Sequence, residues 1–155
     1  SMVTPLTGNE MNFYDLLLPE NPGTVVMNGK EYTWNTWGEI LIPASDAQVW
    51  ATYTREFYEG GPAVTFRKLG KGTVTYVGVD SHNGALEKDI LKKLYAQLQI
   101  PVMDLPYGVT LEYRNGLGIV LNYSDRPYTF NVPEVSKVLV GTEEIPTAGV
   151  LVFSM

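Results

Sequence analysis

The chain has 155 residues, with 17 acidic and 11 basic side chains, a formal charge of −6, 45% hydrophobic residues and no cysteine. That length supports one domain or two small ones and can bury roughly two-thirds of the surface the unfolded chain exposes, but it excludes a complete (β/α)8 barrel of ~250 residues. Without cysteine there is no disulfide framework, thiolate nucleophile or cysteine-ligated zinc, and His82 alone cannot form a His-rich metal cluster.

Residues 1–102 carry 11 acidic and 8 basic side chains and residues 103–155 carry 6 and 3, so each part is −3. An evenly acidic surface predicts no nucleic-acid partner. No run approaches the ~20 apolar residues of a membrane span, and the opening residues lack the basic-then-apolar pattern of a secretory signal. A cytoplasmic location and no membrane partner are therefore expected.

The first twenty-odd residues, closing on Pro19-Glu20-Asn21-Pro22-Gly23, are weakly patterned and read as a lead-in segment. Thr24–Met27, Asn28-Gly29 and Lys30–Trp34 then predict a hairpin, because both central residues of a type I′ turn need positive φ. Trp37–Ile42 follows as a strand, stopped by Pro43. Residues 45–58 fit two patterns. Ser45 and Gln48 suit a capping box and Trp50, Tyr53 and Phe57 fall at helical spacing, while the alternation of Val49, Ala51 and Tyr53 favours a strand. Ala63–Lys68 and Thr73–Asp80 form a second hairpin about Gly70-Lys71-Gly72.

One helix is predicted, from Gly84 to about Gln99. Leu86, Ile90, Leu91, Leu94 and Leu98 make an apolar stripe, Glu87 and Asp89 precede Lys92 and Lys93 as the macrodipole prefers, and Asp89 with Lys93 suits an i,i+4 pair. Beyond a boundary near residues 101–106 the pattern is all strand: Val109–Arg114, an Asn115-Gly116 turn, Leu117–Tyr123, Tyr128–Val132, Lys137–Val140 and Val150–Phe153.

Few residues suggest chemistry. Asp80-Ser81-His82 contains the residue types of a catalytic triad, but neighbours along a chain project in different directions and cannot form the relay; a strand end passing into a helix cap fits better. Gly70-Lys71-Gly72 lacks the spacing and following helix of a phosphate loop. Eleven glutamates offer many carboxylate pairs, but none stands out. Trp34, Trp37, Trp50, Tyr53 and Tyr58 could stack on sugar rings, although core packing is the better expectation. Asn122-Tyr123-Ser124 spells a glycosylation sequon, read as a chance match.

A resemblance adds what these residues do not. Trp37-Gly38-Glu39-Ile40-Leu41, Trp50-Ala51-Thr52-Tyr53, Glu56-Phe57-Tyr58-Glu59-Gly60-Gly61-Pro62-Ala63-Val64-Thr65 and Gly70 to Gly78 follow, in order and spacing, the "W-x-E-x-L", "A-x-Y", "G-x-PA-V-T" and "G-x-G-x-x-x-Y-V-G" pattern of the β-galactosidase trimerisation domain of glycoside hydrolase family 42. Leu105-Pro106-Tyr107-Gly108-Val109, Arg114, Leu121-Asn122-Tyr123-Ser124 and Gly149–Val152 resemble that family's small all-β C-terminal domain, with its "LP-x-GV" and "LN-x-S" motifs. The resemblance runs from about residue 12 to the end.

It implies an α+β chain in two parts. Residues 1–102 would be a partial, β-rich remnant of a flavodoxin-like, amidotransferase-like trimerisation domain with one amphipathic helix, and residues 103–155 a small antiparallel β-sandwich-like domain. Family members are retaining β-galactosidases whose two catalytic glutamates sit on an N-terminal barrel, so no glutamate here inherits a catalytic role. His82 could occupy the amidotransferase histidine position, but without a thiol it has nothing to activate. The resemblance thus implies a non-catalytic fragment for scaffolding and oligomer assembly, with the rest of the parent chain and further copies, trimeric in the family, as partners. It implies no catalytic residue, no cofactor and no metal. The alternatives are a carbohydrate-binding accessory module using exposed aromatics and a small enzyme built around His82.

Overall fold

A computed structural model describes residues 4–155. The chain divides into two compact units, Ser1–Pro101 and Val102–Met155. It is β-rich, with antiparallel sheets and one long helix, an α+β protein.

In the first unit, α1 (Thr4–Thr7) leads to β1 (Asn9–Asp15), β2 (Gly23–Met27), β3 (Lys30–Pro43), β4 (Gln48–Tyr53), β5 (Pro62–Leu69), β6 (Gly72–Val77) and β7 (Val79–Ser81). A 3₁₀ turn at His82–Gly84 opens α2 (Ala85–Gln97). The pairings form a ring. From β3 they run through β2, β4 and β5 to β6, which continues into β7, and β7 pairs back onto β3. Gly78 closes the seam by donating to Ala63 O at 2.9 Å and accepting from Glu39 N at 2.6 Å. Closure of this kind leaves few unpaired strand edges, and β1 is the exception: among the described residues it pairs with β3 alone.

The core of this ring is aromatic. Trp34 and Tyr53 meet edge to face with centroids 5.5 Å apart, Tyr53 meets Tyr58 at 5.0 Å, and Val25, Ala63 and Val64 fill the remainder. Trp34 is 1% exposed. A Cβ on Gly38 would stand 2.6 Å from its ring, so glycine at that position makes room for the indole. Tyr53 also donates its hydroxyl to Glu39 O at 3.0 Å, so the core ties β4 to β3.

Several local expectations change. The lead-in segment contains β1, whose alternation is faint because it is an edge strand with mostly exposed side chains. The strands expected at 30–34 and 37–42 are one strand, bent where Thr36 takes φ 74° and the register with β7 shifts. Residues 48–53 are a strand, paired with both β2 and β5. On α2 only Leu86 and Ile90 are buried, with Leu94 packed against the core from the side; Leu91 and Leu98 are exposed, so the buried stripe is narrower than the sequence suggests.

In the second unit, β11 (Val138–Val140), β13 (Val150–Ser154), β9 (Leu117–Asn122) and β8 (Val109–Arg114) form a four-stranded antiparallel sheet, in that order. A second ladder pairs β10 (Tyr128–Thr129) with β12 (Glu144–Ile145). Phe130 and Ile145, from the second ladder and its flank, share one core with Val109, Val120, Leu151 and Phe153 from the larger sheet. The strand expected over 128–132 shortens to two residues, and the two-residue β12 is too brief to leave a periodic signal. Asn28-Gly29 and Asn115-Gly116 both adopt the paired positive φ of type I′ turns, 52° and 78° and 49° and 77° respectively.

Candidate functional site

The structure separates the three residues of Asp80-Ser81-His82. Strand alternation buries Ser81 and leaves Asp80 exposed, while His82 is exposed as it starts the 3₁₀ turn. Ser81 Oγ accepts from Leu86 N at 3.1 Å and donates to Glu87, whose other oxygen accepts from Ser81 N at 3.2 Å. This is reciprocal capping stretched across the 3₁₀ turn: serine satisfies a free helix N–H and glutamate satisfies serine's own. Gly70-Lys71-Gly72 is the β5–β6 hairpin turn, with Leu69 opposite Gly72.

Of the five aromatics singled out, Trp34, Trp50, Tyr53 and Tyr58 are buried. Trp50 stacks on Phe66 with centroids 4.6 Å apart, and Lys93 Nζ lies 3.9 Å from the centre of its ring. Lys93 is thereby drawn away from the expected i,i+4 pair, and Asp89 instead accepts from Lys30 Nζ at 2.6 Å and Tyr32 Oη at 2.8 Å. These two bonds, the lysine's foremost, hold the Asp89 carboxyl below its ordinary range. Burial, then the bond to Asp89, pushes the Tyr32 phenol up to about 12.

Trp37 alone of the five is exposed, stacked on Tyr14 at 4.6 Å. Its Nε1 donates to Glu39 Oε1 at 3.2 Å, and Tyr76 Oη donates to Glu39 Oε2 at 2.5 Å. Burial and that bond push the Tyr76 phenol up to about 12. Both oxygens of Glu39 are thus acceptors held by the fold. Beside them Trp37, residues 77–80 and Glu87 line a shallow recess of about 350 Å³.

A larger cleft, of about 770 Å³, lies in the second unit and is lined by Pro106-Tyr107 on one wall and by Tyr123 to Tyr128 on the other. Asn122 builds it. Its side chain is 1% exposed; Nδ2 donates to Arg126 O at 2.9 Å and Ile145 O at 3.0 Å, and Oδ1 accepts from Ser124 N at 3.0 Å and Ser124 Oγ at 2.6 Å. The sequon is therefore structural, with its amide fully engaged. Tyr123 N donates to Gly108 O at 2.6 Å, joining the two walls. Gly108 has φ 82°, and a Cβ there would stand 2.9 Å from Ser124 N, so a side chain would push the walls apart. The "LP-x-GV" motif supplies Pro106 and Tyr107 to one wall of this cleft and the "LN-x-S" motif supplies Tyr123 and Ser124 to the other. Sequence reasoning found the motifs but not the cleft, since only the fold brings residues 106–108 against 122–128.

Two family models match the chain: the β-galactosidase trimerisation domain of glycoside hydrolase family 42 over residues 1–106, and the β-galactosidase C-terminal domain over residues 108–155. The chain belongs to the family 42 β-galactosidases. This β-galactosidase-family chain is 40% identical over 73 residues to β-galactosidase LacA of Lactobacillus acidophilus, covering 47% of the chain and 11% of the relative. Over 115 residues it is 30% identical to β-galactosidase BgaB of a Geobacillus species, covering 71% of the chain and 17% of the relative. Among solved structures, the polyextremophilic β-galactosidase of Halorubrum lacusprofundi aligns with 99% of the chain at TM-score 0.81 and 27% identity, over 23% of that protein. The chain thus spans less than a quarter of the length of these relatives. Among the described residues, no helix is long and apolar enough to cross a membrane.

Proposed function

We propose that this chain is the non-catalytic C-terminal portion of a cytoplasmic family 42 β-galactosidase and serves as a scaffold for oligomer assembly. In this reading residues 1–102 are the assembly part and residues 103–155 the C-terminal all-β part. The parent hydrolyses terminal β-D-galactosides by a retaining mechanism, with its catalytic glutamates outside this chain. No residue here has a catalytic, cofactor-binding or metal-binding role. Any flavodoxin-like, parallel portion of the middle domain also lies in the remainder of the parent, because the strands present here pair antiparallel.

The observation that carries this reading is the surface around β1. Among the described residues its outer edge is unpaired, Met11, Tyr14, Leu16 and Leu18 are exposed along and just beyond it, and Phe57 is exposed where it stacks on Phe13 at 5.2 Å. An open edge with large apolar neighbours is a liability in a free monomer, and covering it with another subunit or the rest of the parent removes that liability. Light scattering over a concentration series tests this. The expected mass is three times the 17.2 kDa of one chain, reduced by a Tyr14→Lys, Leu16→Glu double variant; a strict monomer at high concentration overturns the proposal. Hydrolysis of a chromogenic β-galactoside that persists through purification and is lost in His82→Ala would overturn the non-catalytic assignment.

A second reading, a carbohydrate-binding accessory module, is favoured by the tyrosine-lined cleft of the second unit.

A further inference from the structure

We infer that the cleft between residues 106–108 and 122–128 is a binding site for a neutral pyranose oligosaccharide; this rests on the carbohydrate-binding reading above and gives it a location. The volume, about 770 Å³, falls within the roughly 300–1,000 Å³ of small-ligand clefts. Its most prominent groups are aromatic and open to solvent: Tyr107 is 98% exposed and Tyr123 71%. An exposed tyrosine on a loose loop carries little meaning, but these two are not on loose loops. The Tyr123 backbone is bonded to Gly108, the following loop is bonded to Asn122, and Asn122 is anchored in the core. The rings are thus attached to a backbone whose ordering cost is met on folding, and a ligand has less freedom to remove on binding.

The polar groups narrow the ligand class. Asp125 and Arg126 are adjacent, exposed and paired at 3.4 Å. Their charges cancel, so the cleft offers no net attraction to an anion or a cation. It does offer carboxylate acceptors beside guanidinium donors, which suits a ligand that both donates and accepts. A pyranose has that combination: hydroxyls around its rim for Asp125 and Arg126, and a C–H face for the tyrosine rings. Pro106 and Pro127 complete the lining with rigid apolar surface. A proline-rich peptide in extended helical form would use the rings and prolines but would bring fewer new donors to the Asp125 carboxylate than a ring of hydroxyls, since proline has no N–H.

The test is an NMR titration of the full 155-residue chain with galactose, lactose and β-1,4-galactobiose, following backbone amides and aromatic rings. Shifts confined to residues 106–108 and 122–128 are expected. Tyr107→Ala and Tyr123→Ala should each weaken binding about tenfold, and Tyr123→Phe should preserve it. Tyr113→Ala, exposed on β8 and outside the cleft, should change nothing. Unperturbed spectra outside the cleft show that each variant folds. Shifts at Trp37 and Tyr14 in place of the cleft would overturn this site while leaving the carbohydrate-binding reading standing, whereas no shifts at high millimolar saccharide would overturn both. A response to an oligoproline peptide but not to saccharides would assign the cleft to peptide. Peaks there that move with protein concentration alone would assign it to a second copy.

Discussion

The larger and smaller units both bury an apolar sheet, but by different means. The larger closes its strands into a ring and fills it with a core led by Trp34 and Tyr53; the smaller joins a four-stranded sheet to a two-stranded ladder over a core of six buried residues. Closure satisfies most strand backbone groups by pairing, which leaves the side chains of the larger unit to fill its core. The smaller unit has short strands and long loops, and its loop backbone is satisfied by the buried side chain of Asn122. The order of residues 122–126 therefore depends on that amide. Stability in the first unit resides in apolar contact, and surface geometry in the second resides in a polar hub.

Emptying both cores challenges this contrast most directly. Trp34→Ala and Phe153→Ala remove almost fully buried rings and should each cost about 3–5 kcal/mol. All three tryptophans lie in the larger unit, so Trp50 and Trp37 fluorescence reports its denaturant midpoint in Trp34→Ala, and NMR follows the smaller unit in Phe153→Ala. Asn122→Ala comes next, at about 2–3 kcal/mol for carbonyls and a serine left without their partner. It should broaden or shift residues 123–128 while leaving the tryptophan signals unchanged. An equally sharp loop in that variant would contradict the hub.

A smaller change is expected at the charge cluster around Asp89 on the larger unit. Asp89 is held by Lys30 and Tyr32, which lower its pKa from 3.8. A lowered carboxyl pKa stabilises the fold above the unfolded-state value and loses that contribution as pH falls through the folded-state value. Asp89→Asn should therefore cost up to about 1 kcal/mol at neutral pH, and the urea midpoints of the two proteins should converge as pH falls below about 4. Tyr32 has the opposite sign: with its pKa pushed up to about 12, its contribution is full below about 10 and declines as pH rises through the folded-state value.

Much of the fold was legible in the sequence because local chemistry was decisive. Asn28-Gly29 and Asn115-Gly116 place two turns, since few other pairs tolerate two positive φ values in succession. The family pattern was legible as well, through motifs at fixed spacing. β1 was not, because an edge strand needs no buried alternation, and β12 was not, because two residues carry no period.

Composition limits, hairpin turns, the helix and the family are all readable from residues close together along the chain. What the polar and aromatic residues do depends on the folded chain. Asp89 looks toward Lys93 along the helix but bonds Lys30 and Tyr32; Asn122 reads as a sequon but holds a loop; Tyr107 and Tyr123 are sixteen positions apart yet line one cleft. The physical reason is common to all three. Turn and helix preferences arise within a few residues, whereas burial, hydrogen-bond partners and clefts depend on which distant segments the sheet pairing brings together.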